Sequence, residues 1–355
     1  MPASWKYFAL RTLNAVVVLV IVVFILSAAY SGATYAELQG EIEESIRMQR
    51  MQMEEEPEIG WSEWEERRRD ELEEQYNLHV PTYQRVFYQA WDVLTLDFGE
   101  AHAMQTDAGD SSQVFDIIMD RLPNTILLFT TAAVIYTALG IAVGLKAAQN
   151  AGSVLDKFLS LFSISASSMP MWWVGMLAIM VFVHELGIFP PPDAHFGTVE
   201  RMGFWNYTSE LLRRMILPLI VIIFVFFGTR AWTTRNIVTG VLQDDYIMAA
   251  RAKGVPERKV IYGHTLKTAA PPVITSAIMA LLLSLGGAMI SEIIFRWPGM
   301  GLLLRVAILD YYDVPVILGI SFITTFLYVF GYYIADLIYG FLDPRVEVGA
   351  EKAGV

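Results

Sequence analysis

Few residues in this chain could do covalent chemistry. Cysteine is absent, which excludes disulfides, thiolate nucleophiles, iron–sulfur clusters and Cys-ligated zinc. The five histidines are widely spaced and leave little material for an all-His metal site. His184-Glu185 opens like a zinc-protease motif, but position 188 is Ile188, so the second histidine is missing. Ser160, Ser163, Ser165, Ser167 and Ser168 cluster together without a Gly-x-Ser-x-Gly turn to present one as a nucleophile. Hydroxyl residues of this size commonly mediate helix packing in membranes. No GxxxxGK(S/T) phosphate loop occurs, so the chain has no evident means of binding ATP. No catalytic residue, metal ligand or cofactor of its own is assigned.

The stretch most able to do work is Asp244–Pro272, DDYIMAARAKGVPERKVIYGHTLKTAAPP. Asp244 and Asp245 suit the start of a helix, where free amides and the dipole favour a carboxylate. Tyr246 to Lys253 is helix-friendly, with Ala249, Ala250 and Ala252 in its second half. Gly254 stops it, as a residue free to take positive φ would, and Val255-Pro256 makes the turn. Glu257 to Leu266 restarts a helix, and Pro271-Pro272 ends the excursion. The use of such a unit is mechanical. Small alanines allow a partner's backbone to approach, Arg251 and Lys253 supply a polar rim, and a short helix tied to two spans passes motion into a bilayer. A plain amphipathic anchor at the membrane surface is the other reading, and the residues alone leave both open.

The elements that must position this stretch are membrane spans. Of the 355 residues 55% are hydrophobic and only 17% charged, with mean hydropathy +0.44, where a soluble domain carries about a quarter charged residues. Six stretches reach the ~20 apolar residues a bilayer core requires: Leu13–Tyr30, Thr125–Leu145, Phe158–Val183, Met215–Trp232, Val273–Ser291 and Val314–Leu342. The first is long for a signal-peptide core and is read as a retained anchor. Arg230, at the end of the fourth, is expected to snorkel to the interface. Pro170 should kink the third, and Met169, Met171, Trp172 and Trp173 beside it are read as packing residues. Lys6, Arg11, Lys146, Lys157, the basic cluster from Arg235 to Lys267, Arg345 and Lys352 all fall on one side if both termini are cytoplasmic. Arg201, Arg213 and Arg214 are exceptions.

The segment from Ser31 to Pro123 then lies outside. It is Glu-rich, and Glu37 to Tyr76 reads as a solvated helical hairpin broken near Pro57 and Gly60. The alternative is a docking surface or lid for an extracellular partner. The net charge of −12 and pI near 4.9 argue against a nucleic-acid partner and would suit a high-salt habitat. Ionisable residues stay away from the centres of the spans. His184, Glu185 and Glu292 sit near outer ends and Asp336 towards the cytoplasmic end, and all four are read as structural or interfacial groups, which weighs against proton coupling.

The Asp244–Pro272 stretch resembles the EAA loop of binding-protein-dependent ABC importer permeases of the dipeptide/oligopeptide class. Ala250-Arg251-Ala252-Lys253-Gly254-Val255 matches that loop, as do His264, Leu266, Ala269 and Pro272. Met248 stands at the general pattern's glutamate, which the peptide branch usually lacks, and Thr268 replaces a usual Asn. Three more motifs follow in order. Asp97-Phe98-Gly99 with Arg121-Leu122-Pro123-x-Thr125 is similar to the lead into the second span. Ser291-Glu292-x-x-Phe295-x-Trp297-Pro298-Gly299-x-Gly301 resembles the turn after span five, and Asp336-Leu337-x-Tyr339-x-x-Leu342-Asp343-Pro344-Arg345 the C-terminal signature. Residues 37–75 depart from the family.

The resemblance implies an all-α polytopic membrane protein with six transmembrane helices of the ABC importer permease type and an extracytoplasmic insertion. The expected organisation is 1–30, the first span; 31–123, the acidic outer region; 124–345, a five-helix core with its cytoplasmic loop at 235–272; and 346–355, a tail. It implies a non-catalytic subunit in a prokaryotic plasma membrane that pairs with a second, similar permease and receives substrate from an extracellular solute-binding protein. Two cytosolic ATPase subunits would hold the ATP and magnesium and drive alternating access through Tyr246, Ala249, Ala250, Arg251, Lys253, Gly254, Val255 and His264. Peptides are the implied cargo. Relatives that carry oligosaccharides or nickel supply the alternative, with a self-contained transporter or channel, or a non-transporting scaffold, behind it. The residues lining the path are not assigned.

Overall fold

The computed structural model describes residues 5–53, 57, 59–76, 78–106, 109–193, 202–284 and 289–342. Glu54–Glu56, Arg201, Asp343–Arg345 and the tail that follows lie outside them. The described residues are helical throughout their regular structure: α1 Trp5–Gln52, α2 Trp61–Gln75, α3 Thr82–Leu94, α4 Val114–Gln149, α5 Val154–Ser168, α6 Met171–Ile179, α7 Phe204–Leu242, α8 Asp245–Ala252, α9 Leu266–Ser284, α10 Met289–Phe295, α11 Met300–Val306 and α12 Val314–Leu342. Wider π-helical turns follow α6 and α11 and precede α9.

Five of these helices are long and apolar enough to cross a membrane. The α5–α6 pair, bent by 93° at its break, brings the number to six if it counts as one span. The break falls at Met169 and Pro170, as expected of a proline that cannot donate back into the preceding turn. Other prolines behave otherwise, with Pro123 inside α4 and Pro218 inside α7. Pro271 and Pro272, expected to end the loop, lie inside α9. Their fixed φ is helical, and the carbonyls they leave unfilled belong to Lys267 and Thr268, both exposed to solvent at that end.

The chain divides into two compact units. One comprises residues 16–120 and 304–325. Here α1 does not stop where its apolar run ends but continues to Gln52, because Glu37–Gln52 consists of good helix formers with only Gly40 among them. Gly60, at φ +81, starts α2, which folds back so that Leu72 and Leu78 bury against Ile42 and Ile46. Phe98 is buried against Phe322, 5.7 Å between ring centres. Asp313, 1% exposed, accepts from the amides of His102 at 2.9 Å and Ala103 at 3.2 Å and caps α12 through Val316 N–H.

The other unit comprises residues 1–15, 121–303 and 326–355. It is organised by glycines at helix crossings. A Cβ on Gly144 would sit 2.3 Å from the Ala231 carbonyl, and one on Gly228 2.9 Å from the Ser163 Cα, so α7 meets α4 and α5 backbone to backbone. Asp156, expected on neither side of any argument from sequence, receives a two-pronged contact from Arg235 at 2.8 and 2.9 Å and the Gly152 amide, fixing the start of α5 to α7. Arg230 does not snorkel. Its guanidinium donates to the Ser276 hydroxyl at 2.9 Å and carbonyl at 2.7 Å. Gly140 makes room for it, since a Cβ there would lie 2.3 Å from Arg230 Cγ. Two nearby acceptors on α9 outcompete the distant interface. Met171 packs on the core around Trp297, whereas Trp172 and Trp173 remain 40% exposed.

Candidate functional site

Helix α8 buries a single side chain. Ile247, fully buried, enters a cluster with Val238 and Leu242 of α7, Val260, Ile261 and Ala269, and Ala148 of α4. The residues around it face solvent: Tyr246, Met248, Ala249, Arg251, Ala252 and Lys253 are exposed and Ala250 is half-buried. One apolar anchor and seven residues turned wholly or partly outward describe a short helix held for presentation. Asp244 occupies the N-cap position with extended backbone but makes no side-chain capping bond; its carbonyl serves the Ile247 and Met248 amides instead.

The other end of α8 is closed by backbone geometry. Gly254 has φ +74, its amide donates to the Arg251 carbonyl at 2.9 Å, and the Val255 amide reaches the Ala250 carbonyl at 3.2 Å. This is the Schellman arrangement, in which a left-handed residue lets the last carbonyls be satisfied. Val255 then packs on the Ile247 cluster. Arg251 pairs with Glu257 at 2.6 Å across the turn. The hydrogen bond that the guanidinium donates to that carboxylate pushes the Arg251 pKa up. Both partners are 40% or more exposed, so the pair adds little stability and leaves Arg251 at the surface. Tyr246 Oη donates to Thr268 Oγ1 at 2.9 Å, and that hydroxyl donates in turn to the His264 carbonyl. Thr268, the departure from the family pattern, therefore ties α8 to the turn carrying His264, whose side chain is exposed. All eight residues singled out from sequence lie on this one substructure, Ala249 to Val255 on α8 and its end, with Tyr246 and His264 flanking.

A second assembly joins two motifs that the sequence shows only apart. Glu292, 1% exposed, accepts from Thr125 Oγ1 at 2.7 Å and the Gly301 amide at 2.5 Å. Thr125 accepts in turn from Met300 N–H at 2.9 Å. Asn124 closes the other side, donating through Nδ2 to the Pro298 carbonyl at 2.8 Å and accepting from Trp297 Nε1 at 3.0 Å. A Cβ on Gly299 would lie 2.4 Å from the carboxylate, and one on Gly301 2.4 Å from the Met289 Cα, which is why both positions are glycine. The two separate motifs, Leu122-Pro123-Asn124-Thr125 and Glu292 to Gly301, are thus halves of one latch. The sequence marks each motif by resemblance and Glu292 as an acid at the edge of an apolar span, but nothing in it says that the two motifs meet.

Among the described residues no group of three or more His, Asp or Glu side chains could hold a metal ion. Known proteins agree with the architecture. The family described as "Binding-protein-dependent transport system inner membrane component" matches residues 138–348. The chain is 33% identical over 281 residues to the oligopeptide transport system permease protein AppB of Bacillus subtilis, covering 79% of this chain and 85% of that one. It is 31% identical to the dipeptide transport system permease protein DppB of Alkalihalophilus pseudofirmus, covering 78% and 85%. The DppB of Escherichia coli is 29% identical over 79% and 85%. With a family match over more than half its length, the chain belongs to the binding-protein-dependent inner-membrane transport components and is a non-catalytic permease subunit of an ABC importer.

Proposed function

We propose that this permease forms half of a path for peptides and is driven through α8 by cytosolic ATPase subunits. The observation that carries the reading is the construction of α8, a helix whose one buried side chain is Ile247 while Ala249, Arg251 and Lys253 stand outward. Such a helix can seat in a partner's groove and still move with α7 and α9, to which it is joined on either side. Both termini are cytoplasmic in this arrangement, on the side of most short-loop basic residues. Nucleotide binding brings the ATPase subunits together, α8 follows, and the path opens outward to an extracellular binding protein; hydrolysis resets it. A second permease completes the path. The peptide assignment draws on the relatives named for oligopeptide and dipeptide transport.

The test is a cross-link. With cysteine placed at Ala249 in an otherwise cysteine-free chain, the assembled importer should cross-link α8 to an ATPase subunit, and the yield should change with nucleotide. An Ala249→Cys complex that is active yet cross-links to no subunit removes α8 from the drive. Uptake of labelled di- and oligopeptides by the same vesicles, against oligosaccharide and nickel, decides the cargo.

A further inference from the structure

Helix α3 carries a row of exposed aromatic side chains on its open side. Its buried side is narrow, Ala90 and Val93 being covered; two of its polar side chains, Arg85 and Gln89, turn to the far part of α1, while Gln84 donates to the Tyr83 hydroxyl at 3.3 Å. Arg85 lies over the Tyr35 ring at 4.3 Å, and Gln89 Nε2 donates to Thr34 Oγ1 at 3.2 Å. The third side carries Tyr83, Phe87 and Trp91, spaced four apart so that they share one face, with Tyr88 beside them. They are 71%, 53% and 61% exposed. No charged residue lies on that face.

Where α3 crosses α1 identifies what covers it. The Phe87 ring rests on Phe24, 6.1 Å between centres, and Phe24 belongs to the apolar run that ends at Tyr30. On the same run Val16, Val17, Val18, Ile21 and Ile25 are exposed to a similar degree. Phe24 and Thr34 are ten residues apart, about 15 Å of helix. The aromatic side of α3 therefore meets α1 inside the apolar run, and the Arg85–Gln89 side meets it beyond the run's end. An open cleft between the two helices is lined by Phe24, Tyr83, Val86, Phe87 and Tyr88, with Thr82 and Gln84 as its polar members.

We propose that α3 lies flat in the lipid–water interface where α1 leaves the bilayer, with Tyr83, Phe87 and Trp91 among the lipids and Arg85 and Gln89 toward water. Aromatic side chains favour that depth, having an apolar body and, in Tyr and Trp, a polar tip, and a helix with one apolar face lies in the plane. The occupant is lipid because the face continues the lipid-facing stripe of α1 without a step. Such a helix fixes how far α1 rises from the membrane.

The experiment uses the complete importer in phospholipid nanodiscs, active in import. Spin labels are placed on single cysteines at Phe87, Trp91 and, as the water-facing control, Asp92, and relaxation by oxygen is compared with relaxation by a nickel chelate. The oxygen-to-nickel ratio should be severalfold higher at 87 and 91 than at 92. A ratio at both sites equal to that at 92 places the face in water and overturns the proposal. Exclusion of both reagents at 87 and 91 means a protein covers it, which also overturns it. The unmodified chain gives an independent reading: a diazirine-bearing phospholipid should label the peptide Thr82–Leu94, and absence of label there counts against the interface.

Discussion

Replacing Gly254 separates the two ways in which its position could matter. The residue holds φ +74, yet a Cβ built there meets no atom within 4 Å. The penalty for a side chain is therefore conformational and not steric. A non-glycine residue in the left-handed region costs about 1–2 kcal/mol, asparagine less than most. That shifts the balance between the closed and frayed end of α8 by about 5- to 30-fold. The amides at 254 and 255, which donate to Arg251 and Ala250, should exchange with solvent faster by the same factor. Peptide uptake and substrate-stimulated ATPase in proteoliposomes should fall in the order Gly, Asn, Ala, Val. Asparagine is larger than alanine, so the order carries the argument. If activity instead follows side-chain volume, with Ala above Asn, Gly254 matters through contact with a partner and the turn is incidental. If Gly254→Val leaves both exchange and uptake unchanged, the account of α8 as a rigid driven helix is wrong.

Two further substitutions follow from burial. Ile247→Ala removes the one buried side chain of α8, a change that costs about 2–5 kcal/mol at a fully buried site; basal ATPase should persist while its stimulation by loaded binding protein is lost, read by phosphate release in the reconstituted importer. Thr125→Val deprives Glu292 of a donor and Met300 of an acceptor, about 1.5–3 kcal/mol for a hydrogen bond to a charged group. The melting temperature of the purified complex should fall measurably and recover with Thr125→Ser.

The spans were legible because length and apolarity are local properties, and the loop because its turn chemistry is local too: Gly254 and Val255-Pro256 announce the end of α8 without reference to anything distant. What escaped depends on partners far along the chain. Arg230 was assigned to the interface because its sequence neighbours are apolar, but Ser276, 46 residues away, offers it two acceptors. Glu292 read as a group at a span's edge, and its donor Thr125 is 167 residues distant. The prolines show the same limit from the other direction. Pro170 breaks the chain and Pro271-Pro272 do not, because solvent at Lys267 and Thr268 can serve the carbonyls that those rings abandon. A proline signals a missing bond, and its surroundings decide what that loss does.

The latch and the presented helix are joined by one element. Helix α7 packs on Trp297 through Leu211, Met215 and Ile222 and on Ile247 through Val238 and Leu242. Met215 and Leu242 are separated by about 40 Å of helix, and between them α7 is pinned by backbone-close crossings at Gly144 and Gly228. Pro218, inside α7, removes an N–H that would have served the Arg214 carbonyl, so α7 lacks one backbone hydrogen bond close to the latch. In the proposed drive, a displacement of α8 carried along α7 either pivots at the glycine crossings or reaches the Trp297 end. The glycines at 299 and 301 leave the latch no slack to absorb it in turn, since the carboxylate of Glu292 already fills the space a methyl group would need. The latch must then move as a body with the end of α7 or release Thr125, and a path that opens by rigid movement of helices requires one or the other.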